Sequence, residues 1–218
     1  MTYPEEADAH DPLASYAEVT PERLALAHLQ SAASQLSQAC RDPLFLFLAA
    51  RSVQLALLSA LTSAVAGSSS TGAYPPEKRA EWNAYFERRD PGEAAPEGDR
   101  VMSFRELLAE ATARRVGWLE APLNLSSDER EQINRLTNLR DWTEHPRPRS
   151  HYIDPLWILP PLRAGLVLAE QCLQAVMHRL EIEEVDAVRA TIDRIAGDTA
   201  ALQAGIEKSR APRNRRQS

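Results

Sequence analysis

Only two cysteines, Cys40 and Cys172, occur among the 218 residues, and neither belongs to a CxxC pair or any other metal-ligand spacing. That excludes a structural zinc site and a secreted disulfide framework, and it makes a reducing cytoplasm the expected location. Glycine is also sparse, eight in all, and neither GxGxxG nor GxxxxGK[ST] is present, so a phosphate cradle of backbone amides has no sequence to form it. HExxH and GxSxG are missing as well, which removes zinc-protease and serine-hydrolase chemistry. No stretch alternates apolar and polar residues in the period-2 manner of a half-buried strand, and no internal repeat appears. The opening MTYPEEADAH has neither a basic n-region nor an apolar h-region, so no secretory signal is expected.

What is present is ordinary globular usage, 44% hydrophobic and 26% charged, in a chain long enough for one core. The formal charge of −6 is accounted for by Glu5, Glu6, Asp8, Asp11, Glu18 and Glu22, because residues 1–22 hold no Lys or Arg. Lys208, Arg210, Arg213, Arg215 and Arg216 make the other end basic, with no acid after Glu207. Such charge runs are usually solvated, so an acidic head over residues 1–19 and a basic tail over residues 207–218 are expected to be disordered. The most apolar stretch, Leu44–Ala66, approaches the length of a membrane span but carries Arg51, Gln54 and several Ser and Thr. It is expected to be a core helix, and no membrane partner is expected.

Helix starts are legible. Thr20–Pro21 has the form of an N-cap followed by proline at the first helical position and predicts a helix to about Ala39; Asp42–Pro43 repeats it for the helix to Ala66. A turn-rich link from Gly67 to Pro76 precedes a short helix from Glu77 to Arg88, and a second loop runs from Asp90 to Asp99. Ser103 with Glu106, and Ser126 with Glu129, fit the capping box and predict helices to about Gly117 and Thr143. Five prolines between Glu144 and Pro161 predict an extended connector, after which helical spacing resumes. Val185, Val188, Ile192, Ile195, Thr199, Leu202 and Ile206 then follow a 3–4 spacing, a heptad seam that suits a helix laid on its own bundle or one pairing with a second chain. The expected class is all-α: an up-and-down helical bundle over residues 20–182 with an additional C-terminal heptad helix over residues 183–206.

Among the five histidines, His10 lies in the acidic head, and His28 and His178 fall at helical positions where packing or solvation explains them. His145 stands apart, because Asn138, Arg140, Asp141, Arg147 and Arg149 gather around it in sequence. Asp141 and His145 are i and i+4 on a helix, so the carboxylate can orient the imidazole and raise its proton affinity, and a helix C-terminus favours the imidazolium too. Two arrangements of Arg140 are open: it reaches round to share one phosphate with His145, or it pairs with Glu144 at i+4 as a surface salt bridge. A metal site from Asp141, His145, His151 and Asp154 has no recognised spacing, so neither metal nor cofactor is expected.

The run Leu136-Thr-Asn-Leu-Arg140-Asp141-Trp-Thr-Glu-His145-Pro146 resembles the Arg-x4-His signature of HEPN domains, with Asp141 in the polar slot. The likeness extends over about residues 21–180, since the apolar helix before the motif and the connector after it fall where the family has them. The resemblance implies an α-helical bundle that acts as a homodimer on RNA, a metal-independent endoribonuclease. In that role two copies of His145 supply base and acid, two copies of Arg140 clamp the phosphate, and Asp141 tunes the imidazole. Arg147, Arg149, Asn138 and Trp142 would contact the substrate, Trp142 by stacking on a base. No antitoxin-like partner is carried over. Other HEPN proteins are non-catalytic interaction modules, which is the alternative expectation.

Overall fold

Thr20 is extended and its side-chain oxygen accepts the Arg23 N–H at 3.3 Å, while Pro21 fills the first helical position. Together they start α1 (Pro21–Ala39), because the hydroxyl satisfies an otherwise free amide and proline needs none. In this computed structural model, which describes residues 18–68, 70–88, 94–97, 100–144 and 153–211, six further α-helices follow. They are α2 (Leu44–Ala66), α3 (Pro76–Arg88), α4 (Phe104–Ala113), α5 (Ser127–Glu144), α6 (Pro155–Gln174) and α7 (Ile182–Arg210), with a 3₁₀ turn at Met177–Arg179. The described residues form no strand, so the all-α class holds. The expected disordered ends fall outside the described residues over 1–17 and 212–218.

α2 is the axis of the bundle. It packs against α1, α4, α5 and α6, and Ala49, Val53, Ala56, Leu57, Ala60 and Leu61 are completely buried. A helix that is apolar nearly all round has to be enclosed, and here other helices enclose it. α2 and α6 are both long and apolar enough to cross a membrane, and 56% of each such stretch is buried inside the bundle. The Asp42 carboxylate accepts the Leu44 N–H at 2.9 Å and closes the short turn after α1, but the N-cap of α2 is Pro43, one residue later than the Asp42–Pro43 pattern predicts. α2 then runs back along α1, with Ser52 donating to Gln35 at 2.8 Å near one end and Ser63 donating to Glu22 near the other.

Three expectations need correction. α6 begins at Pro155, inside the stretch expected to be extended, and continues through Pro160 and Pro161. Those prolines deprive the Leu156 and Trp157 carbonyls of their donors, at roughly 3 kcal/mol each for an interior proline. Burial of Ile158, Leu159, Leu162 and Leu166, worth roughly 1.5–3 kcal/mol per side chain, offsets that loss. α4 stops at Ala113 rather than Gly117. Arg114 is extended and Gly117 takes φ +53°, which lets Trp118 donate to the Ala175 carbonyl at 3.1 Å; a Cβ on Gly117 would sit 2.9 Å from Ala175. α7 runs to Arg210, four residues past the end of the heptad, because the Arg210 guanidinium forks onto Asp154 at 2.7 and 2.9 Å. Asp154 is at the same time the N-cap of α6, accepting from Leu156 at 2.8 Å, so one carboxylate ties the two helix ends together.

The heptad seam of α7 faces its own bundle. Val188, Ile192, Ile195 and Thr199 are buried, with Leu202 and Ile206 half-buried beside them, against α1 and α6. The α2, α5 and α6 junction is equally tight: a Cβ on Gly165 would lie 2.3 Å from a Leu136 methyl and 3.1 Å from one of Val53. Leu57→Ala is therefore expected to cost about 2–5 kcal/mol, read as a lower urea midpoint at unchanged m. Gly72→Ala should be at least as damaging, since its Cβ would stand 2.1 Å from the Val65 carbonyl oxygen, a backbone atom with no rotamer to escape into.

Candidate functional site

α5 starts at a reciprocal cap, in which Ser126 accepts from the Glu129 N–H at 3.2 Å and Glu129 accepts from the Ser126 N–H at 2.8 Å. From there Ile133, Leu136 and Leu139 turn into the core, which sets the rotation of the whole helix. Asn138 and Asp141 are consequently exposed, and Arg140, Trp142 and Glu144 half-buried. Asn138 lies about 200° around the helix from Arg140 and shares its face with Asp141 and Trp142. His145, Arg147 and Arg149, and His151 of the rejected metal set, lie outside the described residues.

Arg140 makes the i+4 salt bridge, with Nη2 2.6 Å from Glu144 Oε2, and its Nη1 is 3.9 Å from Asp141. The bond to Glu144 is the main reason its proton affinity is raised further. Its Nε is buried without a hydrogen-bond partner. A second guanidinium comes to the same carboxylate from α2, with Arg51 Nη2 3.8 Å from Glu144 Oε1. On α1, His28 is held below the usual histidine range, first by burial and then by the positive charge of Arg51. Two helices thus bring two arginines and two carboxylates together at the end of α5, and His28 on a third feels the Arg51 charge.

Sequence reasoning found Arg140, Asp141 and the Glu144 pairing, all local to one helix. It missed Arg51 as a member, because nothing in its own neighbourhood marks it. Chemically, the arrangement offers anion binding with charges close to balance. The Arg140 and Glu144 side chains are 31% and 23% exposed, and i,i+4 pairs of this kind contribute only about 0.3–0.5 kcal/mol. A phosphate taking forked, charge-assisted bonds from Arg140 can replace such a partner. Among the described residues no three His, Cys, Asp or Glu side chains cluster as metal ligands. Cys172 is buried and its thiol is pushed up to about 12, so it stays protonated at neutral pH.

A second polar cluster was invisible in the sequence. Glu22 in α1 is 4% exposed and Ser63 in α2 fully buried. Arg179, from the 3₁₀ turn 157 residues along the chain, reaches the Glu22 carboxylate at 3.1 Å and the Ser63 hydroxyl at 3.3 Å. Its other terminal nitrogen donates to the Gly67 carbonyl at 2.6 Å. Burial alone would raise the Glu22 pKa; hydrogen bonds from Ser63, its own backbone, Arg179 and Thr20 outweigh that and hold it below the ordinary range.

Compared with protein-family models, curated proteins and solved structures, the chain matches none.

A carboxyl whose folded pKa lies below its unfolded value of 4.5 stabilises the fold fully above that pH and loses the contribution as pH falls through the folded value. Wild type should therefore lose stability below about pH 4.5 more steeply than Glu22→Gln, with the two denaturation midpoints converging in acid. Parallel pH profiles for the two proteins would show that the Glu22 charge has no such role.

Proposed function

We propose that the C-terminal end of α5 is the active site of a metal-independent endoribonuclease of the HEPN type, completed by a second copy of the chain. The observation that carries the reading is Arg140. Its guanidinium sits one-third exposed on the last turn of α5, held by a weak local partner beside Asp141 and within one side chain of Arg51. That is a positively charged group a phosphodiester can take over, at the motif that resembles the family's. The all-helical bundle and the apolar axis helix agree with the same resemblance.

Cleavage without a metal needs a base on the 2′-hydroxyl, an acid on the departing oxygen and positive charge on the pentavalent phosphate. In the proposed dimer, His145 of each copy fills one of the first two roles, and Arg140 fills the third. Asp141 orients the imidazole. Arg147, Arg149 and Trp142 contact the RNA strand on either side. Asn138, on the far side of α5 from Arg140, contacts RNA only through the face it shares with Asp141 and Trp142.

A second reading, a non-catalytic interaction module, draws on the same geometry. The short Arg140–Glu144 bond, with Arg51 on the other carboxylate oxygen, uses the arginine's charge within the fold. The readings separate in one assay. The nuclease reading expects RNA cut in EDTA to leave 2′,3′-cyclic phosphate ends. His145→Ala and Arg140→Ala should each lower the rate by about 10²–10⁴ with the helical circular dichroism unchanged. Glu144→Gln, which removes the competing carboxylate, should keep or raise activity and tighten RNA binding. No cleavage by wild type or by Glu144→Gln would leave the interaction module as the function.

A further inference from the structure

Where α1 starts and α2 ends, a cavity of about 590 Å³ opens beside the Glu22–Ser63–Arg179 cluster. That volume falls in the range of small-molecule sites. It is distinct from the α5 end: Ser63 is twelve residues along α2 from Arg51, about 18 Å at the helical rise. We propose that this cavity binds a small, uncharged, polyhydroxylated molecule of sugar or nucleoside size.

The walls are held rigidly. The loop after α2 has Gly67 at φ +67° and Ser70 at φ +59°, the latter a left-handed conformation that costs energy in a residue with a Cβ. Two arginines hold its carbonyls. Arg179 holds the Gly67 carbonyl at 2.6 Å, and Arg79 holds the carbonyls of Gly72 at 2.8 Å and Tyr74 at 3.3 Å. Gly72 itself closes onto the Ala66 carbonyl at 3.0 Å. The Tyr74 ring is stacked on Trp82 at 6.1 Å with the planes 10° apart. These contacts hold Gly67, Gly72 and Tyr74, and Ser68, Ser70 and Tyr74 line the cavity.

The chemistry of the lining selects the ligand. Glu22 is kept ionised by its hydrogen bonds, and Arg179 cancels its charge, so the pair presents a strong dipole with no net charge. The Arg179 charge is already matched by the Glu22 carboxylate at 3.1 Å, so a dianion finds no unpaired cation, and a cation finds the part-exposed guanidinium rather than the sealed carboxylate. Neither gains what it loses in water. Beside this pair the cavity is lined by Thr62, Ser68, Ser70 and Tyr74, each of which carries a hydroxyl, while the Thr20 oxygen is already engaged by the Arg23 N–H and Glu22. A hydroxyl both donates and accepts, so its natural complement is another hydroxyl. Thr62 already donates to Leu58 at 2.8 Å and is left to accept. Arg179 is positioned by Glu22, Ser63 and Gly67, and a part-exposed guanidinium held this way supplies further donors to a vicinal diol.

The test is saturation-transfer NMR on the full chain with D-glucose, D-ribose, myo-inositol, uridine and methyl phosphate, the phosphate probe whose methyl protons report binding, at millimolar concentration. At least one polyol should receive saturation and phosphate none. A response from uridine and ribose assigns a nucleoside, and one from glucose or inositol a sugar. Tyr74→Phe should weaken binding on the order of fivefold, as for one lost hydrogen bond. Ser70→Gly should weaken it similarly while the melting temperature stays equal or rises, because glycine removes the hydroxyl and relieves the left-handed strain. Arg140→Ala should leave binding unchanged, which separates this site from the proposed nuclease end. The proposal is overturned if no polyol is saturated or phosphate binds in its place. It is equally overturned if the binding ignores Tyr74→Phe and Ser70→Gly, or disappears with Arg140→Ala.

Discussion

A helix with apolar residues on nearly every side is stable in water only when it is surrounded, and α2 imposes that condition on the whole chain. Four helices must reach it, and the order in which they do so decides which polar groups meet. α1 folds back along it, α5 and α6 close on it through Gly165, Leu136 and Val53, and α4 covers a further face. α7 does not have to touch it at length; its apolar seam lies over α1 and α6, and the Arg210–Asp154 fork fastens its far end.

The few polar residues carried on this apolar axis locate both candidate sites. Arg51, near one end, is half-buried and meets Glu144 at the end of α5. Ser63, near the other end, is fully buried and meets Glu22 and Arg179. Ser52, between them, is satisfied by Gln35 across the antiparallel pair. Gln54 is completely buried with neither side-chain polar atom hydrogen-bonded, a desolvation cost of about 1–3 kcal/mol that its packing has to offset. Polar atoms inside the bundle are therefore few, and most are spent in joining helices.

The difference between the two clusters is one of dielectric and reach. At the α5 end the charges are part-exposed, near balance and locally paired, so each bond is weak and open to exchange with a ligand. At the Glu22 end the carboxylate is sealed and its partners come from three elements, so the network is a fixed scaffold, and what stays accessible is the hydroxyl-lined wall and the part-exposed Arg179 guanidinium. Arg140 and Arg179 are similarly exposed, at 31% and 25%, and what separates them is the carboxylate each one meets: Glu144 is 23% exposed, whereas Glu22 is sealed at 5%.

Caps were legible because they are local: Thr20 with Pro21, and the Ser–Glu pairs at 103/106 and 126/129, satisfy amides within three residues of themselves. The Arg140–Glu144 pair was one of two readable outcomes for the same reason, its partners being one turn apart. α6 was misjudged over Pro155–Pro161, since the local rule against interior proline is overridden by burial that no window of sequence displays. Arg51 with Glu144, and Glu22 with Arg179, were illegible because their partners are far apart in the chain and nothing nearby marks them.

By itself the sequence determined the helical class, the places where most helices begin, and the apolar axis they had to cover, because those follow from hydrogen bonds and periodicities only a few residues long. Which way the heptad seam turned, how far α6 extended through its prolines, and which charges came together were decided by the tertiary structure alone. Burial and long-range pairing are properties of the packed chain, and they acquire their energy only once water has been excluded between elements that the sequence keeps apart.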